Sequence, residues 1–137
     1  MLKRTMTYTD YDGNKREEDF YFNLSKAEIL EMELGTTGGY TGMIKKIIAA
    51  QDTPRLAKIF KELVLKAYGV KSDDGRRFIK SEKLSEEFSQ TEAYSQLYME
   101  LATNAEAASD FINGIVDTDV SQQLAAQNKE NLMAVIK

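Results

Sequence analysis

The sequence contains no cysteine and no histidine. The lack of cysteine excludes disulfides, thiolate metal sites and a cysteine nucleophile. The lack of histidine excludes serine–histidine triads and imidazole-bound zinc, because histidine is the usual acid–base group near neutral pH and the commonest metal ligand. Any chemistry would depend on carboxylates, lysines, tyrosines or the backbone. We therefore predict a protein that is not an enzyme and that uses no cofactor or metal.

Long hydrophobic runs and an excess of basic charge are absent as well. No window approaches roughly 18 consecutive apolar residues, and the basic residues 1–5 are not followed by an apolar run, so we expect neither a membrane span nor a signal peptide. The net charge is −4 and the pI is near 5.0, whereas proteins that bind phosphates of nucleic acid usually carry a basic face. We expect a soluble cytoplasmic protein without nucleic-acid or membrane partners.

The length and composition predict one domain. The 137 residues, of which 42% are hydrophobic, suffice for one core but not two. No repeat, low-complexity tract or interdomain linker divides the chain. We predict a single domain over 1–137, built from a β-hairpin (1–24), a helical core (25–116) and a weakly packed C-terminal helix or tail (117–137).

The first 24 residues have the pattern of a β-hairpin. Apolar residues at a spacing of two lie on both sides of the turn around Asp12-Gly13, a dipeptide that favours tight hairpin turns. They are Leu2, Met6 and Tyr8 before the turn, and Phe20, Phe22 and Leu24 after it. An isolated hairpin is marginally stable in water. We expect it to pack on the helices, to pair with further strands or to be completed by another chain.

From Ser25 onward the hydrophobic period becomes helical. Ser25 and Glu28 match a capping box, Leu24 and Ile29 match a hydrophobic staple, and Gly35 is expected to end this helix. Further helices are predicted over 40–51, over 53–68 with Thr53 as N-cap and Gly69 as stop, after Ser81, over 91–102 and after Asn104. A short extended segment is compatible with 70–80. The predicted fold is mainly α, with an N-terminal β-hairpin followed by a compact bundle of about five to six short helices.

Three segments invite a chemical interpretation that their spacing does not support. The acidic turn from Asp10 fails as an EF-hand loop, because Gly13 stands at the fourth position where such a loop needs glycine at the sixth. The glycine-rich segment 35–42 lacks the Gly-Lys-Ser/Thr of a phosphate-binding loop and follows a helix, which favours a helix end and a connection. Residues 73–77 have the pattern of a turn with solvated charges.

Two segments are candidates for binding a partner. In the second strand we predict that Phe20, Tyr21 and Phe22 bind a partner, because exposed strand edges recruit other strands. The alternative for Phe20 and Phe22 is that their side chains face the core. In the C-terminal segment we predict Leu124 and Leu132, whose sparse apolar stripe is typical of a helix that folds on contact with a partner. Self-association through the hairpin edge is a further prediction. A stripe formed by Tyr94, Tyr98 and Met99 is better explained by core packing.

The sequence resembles tail assembly chaperones of long-tailed (siphovirus-type) bacteriophages. The resemblance covers about 1–116, and the matching segments are 7–14, 20–28, 71–81, 88–94 and 110–115. These segments are not chemical motifs, so the specificity of the resemblance lies in their succession along the chain.

The resemblance implies a non-enzymatic function. Such chaperones bind the long, helical and aggregation-prone tape measure protein, keep it soluble and hold it until subunits of the tail tube protein polymerise around it. The partners implied are therefore the tape measure protein and the tail tube protein, the location is the host cytoplasm, and the protein is expected to be absent from the mature virion. The alternative is a structural minor tail or connector protein of the virion.

Overall fold

The protein is described by a computed structural model, which covers residues 1–116. The predicted C-terminal segment, 117–137, with Leu124 and Leu132, lies outside the described residues. The described part contains six helices and a four-stranded antiparallel sheet in the order β1-β2-β3-β4. The prediction of a mainly helical fold with an N-terminal hairpin is confirmed.

The bounds of the elements are as follows. The strands are β1 (Leu2–Thr9), β2 (Lys15–Phe22), β3 (Tyr68–Lys71) and β4 (Phe78–Ile79). The helices are α1 (Lys26–Leu34), α2 (Tyr40–Ala49), α3 (Thr53–Ala67), α4 (Glu82–Ser89), α5 (Glu92–Thr103) and α6 (Ala105–Ile115).

The hairpin of β1 and β2 is long and regular. Its register runs from Leu2 opposite Phe22 to Thr9 opposite Lys15. In the turn, the Asp10 carboxylate accepts hydrogen bonds from the backbone N–H of Asn14 (2.9 Å) and from Arg16 Nε (2.5 Å). Gly13 has a φ of +84°, a backbone conformation that glycine adopts without steric cost. The tight turn that the sequence predicts around Asp12-Gly13 is therefore present in the hairpin.

Two further strands extend the hairpin into a sheet. The helix predicted to reach Tyr68 ends at Ala67, and Tyr68 begins β3, which pairs with the end of β2. The segment 70–80 contains the extended residues of β3 and β4. Gly69 lies beneath the Phe78 ring, and a Cβ on this glycine would approach Phe78 Cε2 to 2.7 Å. Gly69 is thus required for close packing of an aromatic ring on the sheet.

Local signals place the helix ends to within two residues, with one wrong N-cap. The capping box of Ser25 and Glu28 is present, and Gly35 is the C-cap of α1. Ser81, Thr91 and Asn104 are the N-caps of α4, α5 and α6. The prediction that Thr53 caps α3 is wrong.

The N-cap of α3 is Asp52, one residue earlier than predicted. Its carboxylate accepts a hydrogen bond from the Arg55 N–H at 3.3 Å, and Thr53 is the first helical residue. A carboxylate and a threonine hydroxyl can both accept a hydrogen bond from the free N–H groups. The carboxylate in addition carries the negative charge that complements the positive end of the helix dipole.

One hydrophobic core joins the sheet to the helices. It contains side chains from β1, β2 and all six helices. Phe22 is at its centre, with its ring centroid 5.3 Å from that of Phe111 and 5.8 Å from that of Phe88. Among the described residues, no polar or charged side chain is buried. Burial of apolar surface is consequently the main stabilising contribution to this fold.

The two ends of the described chain are in contact. The Leu24 N–H donates a hydrogen bond to the Ile115 carbonyl at 3.2 Å. The Leu2 side chain packs so closely on Gly114 that a Cβ there would lie 2.9 Å from Leu2 Cδ1. Arg4 pairs with Glu100 at 2.6 Å. The hairpin is therefore held by α5 and α6.

Candidate partner-binding surfaces

The three predicted partner-binding residues of β2 lie on two faces of the sheet. Phe20 and Phe22 point into the core and are 9% and 0% exposed. Tyr21 points to the opposite face and is half-buried. Of the three side chains, Tyr21 therefore has the access that direct contact with a partner requires. The partner-binding role of these residues stays a prediction.

The outer face of the sheet combines aromatic rings with cations. Lys71 Nζ lies 4.4 Å from the centroid of the Tyr21 ring, and Lys3 is the register partner of Tyr21 on β1. Phe78 is half-buried beside them, over Gly69. The outer face of the sheet is therefore a further candidate surface for a partner.

The far part of the hairpin is unpaired at its edges within residues 1–116. β3 pairs with Tyr21 and Phe22 alone, so the segment 15–20 of β2 has an open edge. Lys15 to Asp19 are charged and exposed, and charges on an edge strand oppose pairing with other chains. The Tyr8 hydroxyl is hydrogen-bonded to Glu18, which raises the pKa of Tyr8 to about 12. Self-association through the hairpin edge stays a prediction.

Helix α1 is apolar on two sides. Ile29 faces the core, whereas Leu30 and Leu34, turned about 100° and about 140° from it around the helix axis, are 41% and 73% exposed. Residues four apart are neighbours on a helix surface, so these two leucines form a continuous apolar strip, which we name the α1 stripe. Exposed apolar surface of this kind is a possible contact site for another protein. The α1 stripe is therefore a candidate surface for a partner.

The glycine-rich connection between α1 and α2 lies against a carboxylate of α1. Gly38 and Gly39 have φ values of +79° and +88°. Glu33 Oε1 accepts a hydrogen bond from the backbone N–H of Thr41, in the first turn of α2, at 2.7 Å. The helix N-terminus, where a phosphate would bind, is thus complemented by a carboxylate. The interpretation as a helix end and a connection agrees with this geometry.

An open groove of about 540 Å³ lies between α2 and α3. Its floor is aliphatic, formed by Met43, Ile47 and Ile59, and its walls carry the side chains of Lys46, Arg55 and Lys58. We name it the α2–α3 groove. A surface with an apolar floor and cationic walls is suited to an apolar partner that bears negative charge.

The charged clusters have geometry typical of turns. Asp74 accepts hydrogen bonds from the Arg76 N–H and the Ser72 hydroxyl, which hold the pKa of this carboxyl below its usual range. Across residues 1–116, no three acidic side chains lie close enough together to hold a metal ion. In the same part of the chain, no helix is both long enough and apolar enough to cross a membrane.

A family model described as phage tail assembly chaperone matches residues 1–135. The chain belongs to this family. No curated protein and no solved structure matches the chain. The family is non-enzymatic, which confirms the prediction made from the sequence. The chaperone therefore acts in tail assembly, and its partners are proteins of the phage tail. Such a function needs surfaces that contact a partner, and the α1 stripe and the α2–α3 groove are candidates for this contact.

Proposed function

We propose that this chaperone binds the tape measure protein, keeps it soluble and promotes assembly of the tail tube around it. The observation that carries the proposal is the match to the tail assembly chaperone family over nearly the whole chain. A protein that holds an aggregation-prone client needs exposed apolar surface, and the α1 stripe provides it. The net charge of −4 would help to keep the complex in solution.

The proposal includes the partners and the place of action. The tape measure protein is the client and the tail tube protein replaces the chaperone in the host cytoplasm, so the chaperone does not remain in the mature virion. We further propose that the client contacts the α1 stripe, Tyr21 on the outer face of the sheet, and Leu124 and Leu132 beyond the described residues. Phe20 and Phe22 would support this surface from the core.

Co-expression with the tape measure protein of the same phage tests the proposal. We expect the chaperone to move the tape measure protein into the soluble fraction and to co-purify with it. The double variant Leu30→Glu/Leu34→Glu should reduce the co-purified amount by about tenfold, because two charges in an apolar contact oppose its desolvation. The variants Tyr21→Ala and Leu124→Ser/Leu132→Ser test the other two surfaces in the same assay.

The matched control is Val70→Glu/Met99→Glu. Val70 and Met99 are exposed apolar residues outside the α1 stripe, 41% and 57% exposed, and this variant adds the same charge. The exposure of Met99 shows that the interpretation of this residue as part of the core is wrong. It should retain the tape measure protein. An equal loss of co-purified tape measure protein in both double variants would contradict a specific role for α1. A tape measure protein that stays insoluble when co-expressed with the wild-type chaperone would contradict the proposed function. Mass spectrometry of purified virions should find no stoichiometric copies; finding them would favour the structural tail protein instead.

A further inference from the structure

The α2–α3 groove has the dimensions of a binding site for a short helix. Its lining on α3 extends from Arg55 to Glu62, which corresponds to about two helical turns, or roughly 10 Å. The apolar floor of Met43, Ile47 and Ile59 combines residues of both helices. Apolar grooves between neighbouring helices are a common site for an amphipathic partner helix, whose anchors recur at three- and four-residue spacing.

The charge of the groove is opposite to that of the whole chain. Lys46, Arg55 and Lys58 line it, against the single carboxylate of Glu62, whereas the chain has a net charge of −4. Within residues 1–116, Lys46 and Lys58 take part in no ion pair. Arg55 pairs with Asp52 at 3.5 Å, but both side chains are exposed, so this pair is weak and exchangeable.

We propose that the α2–α3 groove binds an amphipathic helix in which aspartates or glutamates flank an apolar stripe. The apolar stripe would cover Met43, Ile47 and Ile59, and the acidic flanks would pair with the lysines of the walls. A nucleic acid fits less well, because the floor has no aromatic ring on which a base could stack. The inference rests on the proposed function in one respect, namely that the helix comes from a tail protein. The charge and polarity expected of that helix follow from the groove itself.

A pair of designed peptides tests the chemistry of the groove. The first is a fluorescein-labelled helix with leucines at i, i+3, i+4 and i+7, flanked by glutamates; the second has lysines in place of the glutamates. Fluorescence anisotropy with the full-length chaperone should show binding of the glutamate peptide that is about tenfold or more tighter than that of the lysine peptide. The difference should shrink at high salt, because exposed charges are screened.

Charge reversal on the walls locates the binding. The variant Lys46→Glu/Lys58→Glu should bind the glutamate peptide about tenfold or more weakly than the wild type does. The same variant should bind the lysine peptide more tightly than the wild type does. The matched control is Lys45→Glu/Lys61→Glu, which makes the same charge change on exposed residues of the same two helices outside the groove lining. The control should retain the affinity of the wild type. Melting temperatures of both variants establish that they are folded.

Four results would overturn the inference. They are equal binding of the two peptides, equal effects of the two lysine variants, tighter binding of a single-stranded oligonucleotide than of the glutamate peptide, and displacement of that peptide by a free peptide of residues 117–137. A chaperone that keeps the tape measure protein soluble yet binds no glutamate peptide disproves the groove inference alone. A chaperone that binds the peptide but no tail protein disproves the proposed function.

Discussion

Two glycines of this protein, Gly69 and Gly42, differ in the space around the position of a missing Cβ. Gly69 lies under the Phe78 ring in β3, and the Ile79 carbonyl would be 2.8 Å from an added Cβ. Gly42 lies in α2, where no atom is within 4 Å of an added Cβ. The sequence predicts Gly69 as a helix stop and a turn at 73–77, but not the pairing of β3 with β4 that brings Phe78 over this glycine.

We predict opposite effects for alanine at these two glycines. Gly69→Ala should lower the free energy of unfolding by about 2 kcal/mol, because the ring and the backbone of β4 must both shift. Gly42→Ala should raise it by about 0.5–1 kcal/mol, because alanine is the better helix former and the space is open. Urea denaturation followed by far-UV circular dichroism measures both; a stabilising Gly69→Ala would disprove the close packing at Phe78.

At the scale of the elements, local signals are more informative than pairing signals. Capping residues act on N–H groups two or three positions away, so Ser25, Ser81, Thr91 and Asn104 identify their helices from the sequence alone. The error at Thr53 arose because two adjacent residues were both able to cap. The joining of β3 and β4 to the hairpin depends on residues more than 40 positions apart, and a periodic pattern contains no information about such partners.

Glu28 connects two of these elements. Its carboxylate completes the capping box of α1 and also accepts from Lys80 Nζ at 2.7 Å, just before α4. Partial burial acts to raise the pKa of Glu28, but the hydrogen bonds from Lys80 and the Ser25 backbone outweigh it, so the pKa is lower than the ordinary 4.5. The ionised form is therefore the one that the fold stabilises.

We predict that Glu28→Gln lowers the free energy of unfolding by about 0.5–1 kcal/mol near neutral pH, with solvent screening taken into account. Glutamine keeps the capping hydrogen bond to Ser25 but not the charge. Because the pKa of Glu28 is lowered in the folded state, its contribution to the free energy of unfolding is complete above pH 4.5. That contribution is lost as the pH falls through the lowered pKa. Urea titrations of both proteins at pH 7 and pH 3 should show the difference shrinking; a difference that grows in acid would contradict the pairing.

On the scale of the whole molecule, the described residues share one core. An aromatic network passes from Tyr8 through Phe20 and Phe88 to Phe22, Phe111 and Phe60, and so connects the hairpin with α3, α4 and α6. The sequence predicts which residues are apolar and which lie on one face of each element. It does not reveal that the second strand contributes its aromatic rings to the same core as three helices, because that arrangement arises only when the elements pack.

Neighbouring residues of β2 test this arrangement. Phe22→Ala should lower the free energy of unfolding by about 3–5 kcal/mol, since it leaves a cavity where the network converges. Tyr21→Ala removes the cation–π contact with Lys71 on the outer face and should cost about 0.5–1 kcal/mol. Differential scanning calorimetry should show a single transition for both variants. A separate transition for the hairpin, or similar losses for the two residues, would contradict the shared core.

The contact between the two ends of the described chain has a consequence for synthesis on the ribosome. Leu2 needs Gly114, and the Leu24 N–H needs the Ile115 carbonyl, so the hairpin is translated first and receives its supporting helices last. Contacts this distant in sequence form slowly, and a strand pair without its helices is prone to aggregate. During translation, the hairpin of the nascent chain therefore exposes, for an interval, the apolar face that the helices cover in the folded protein.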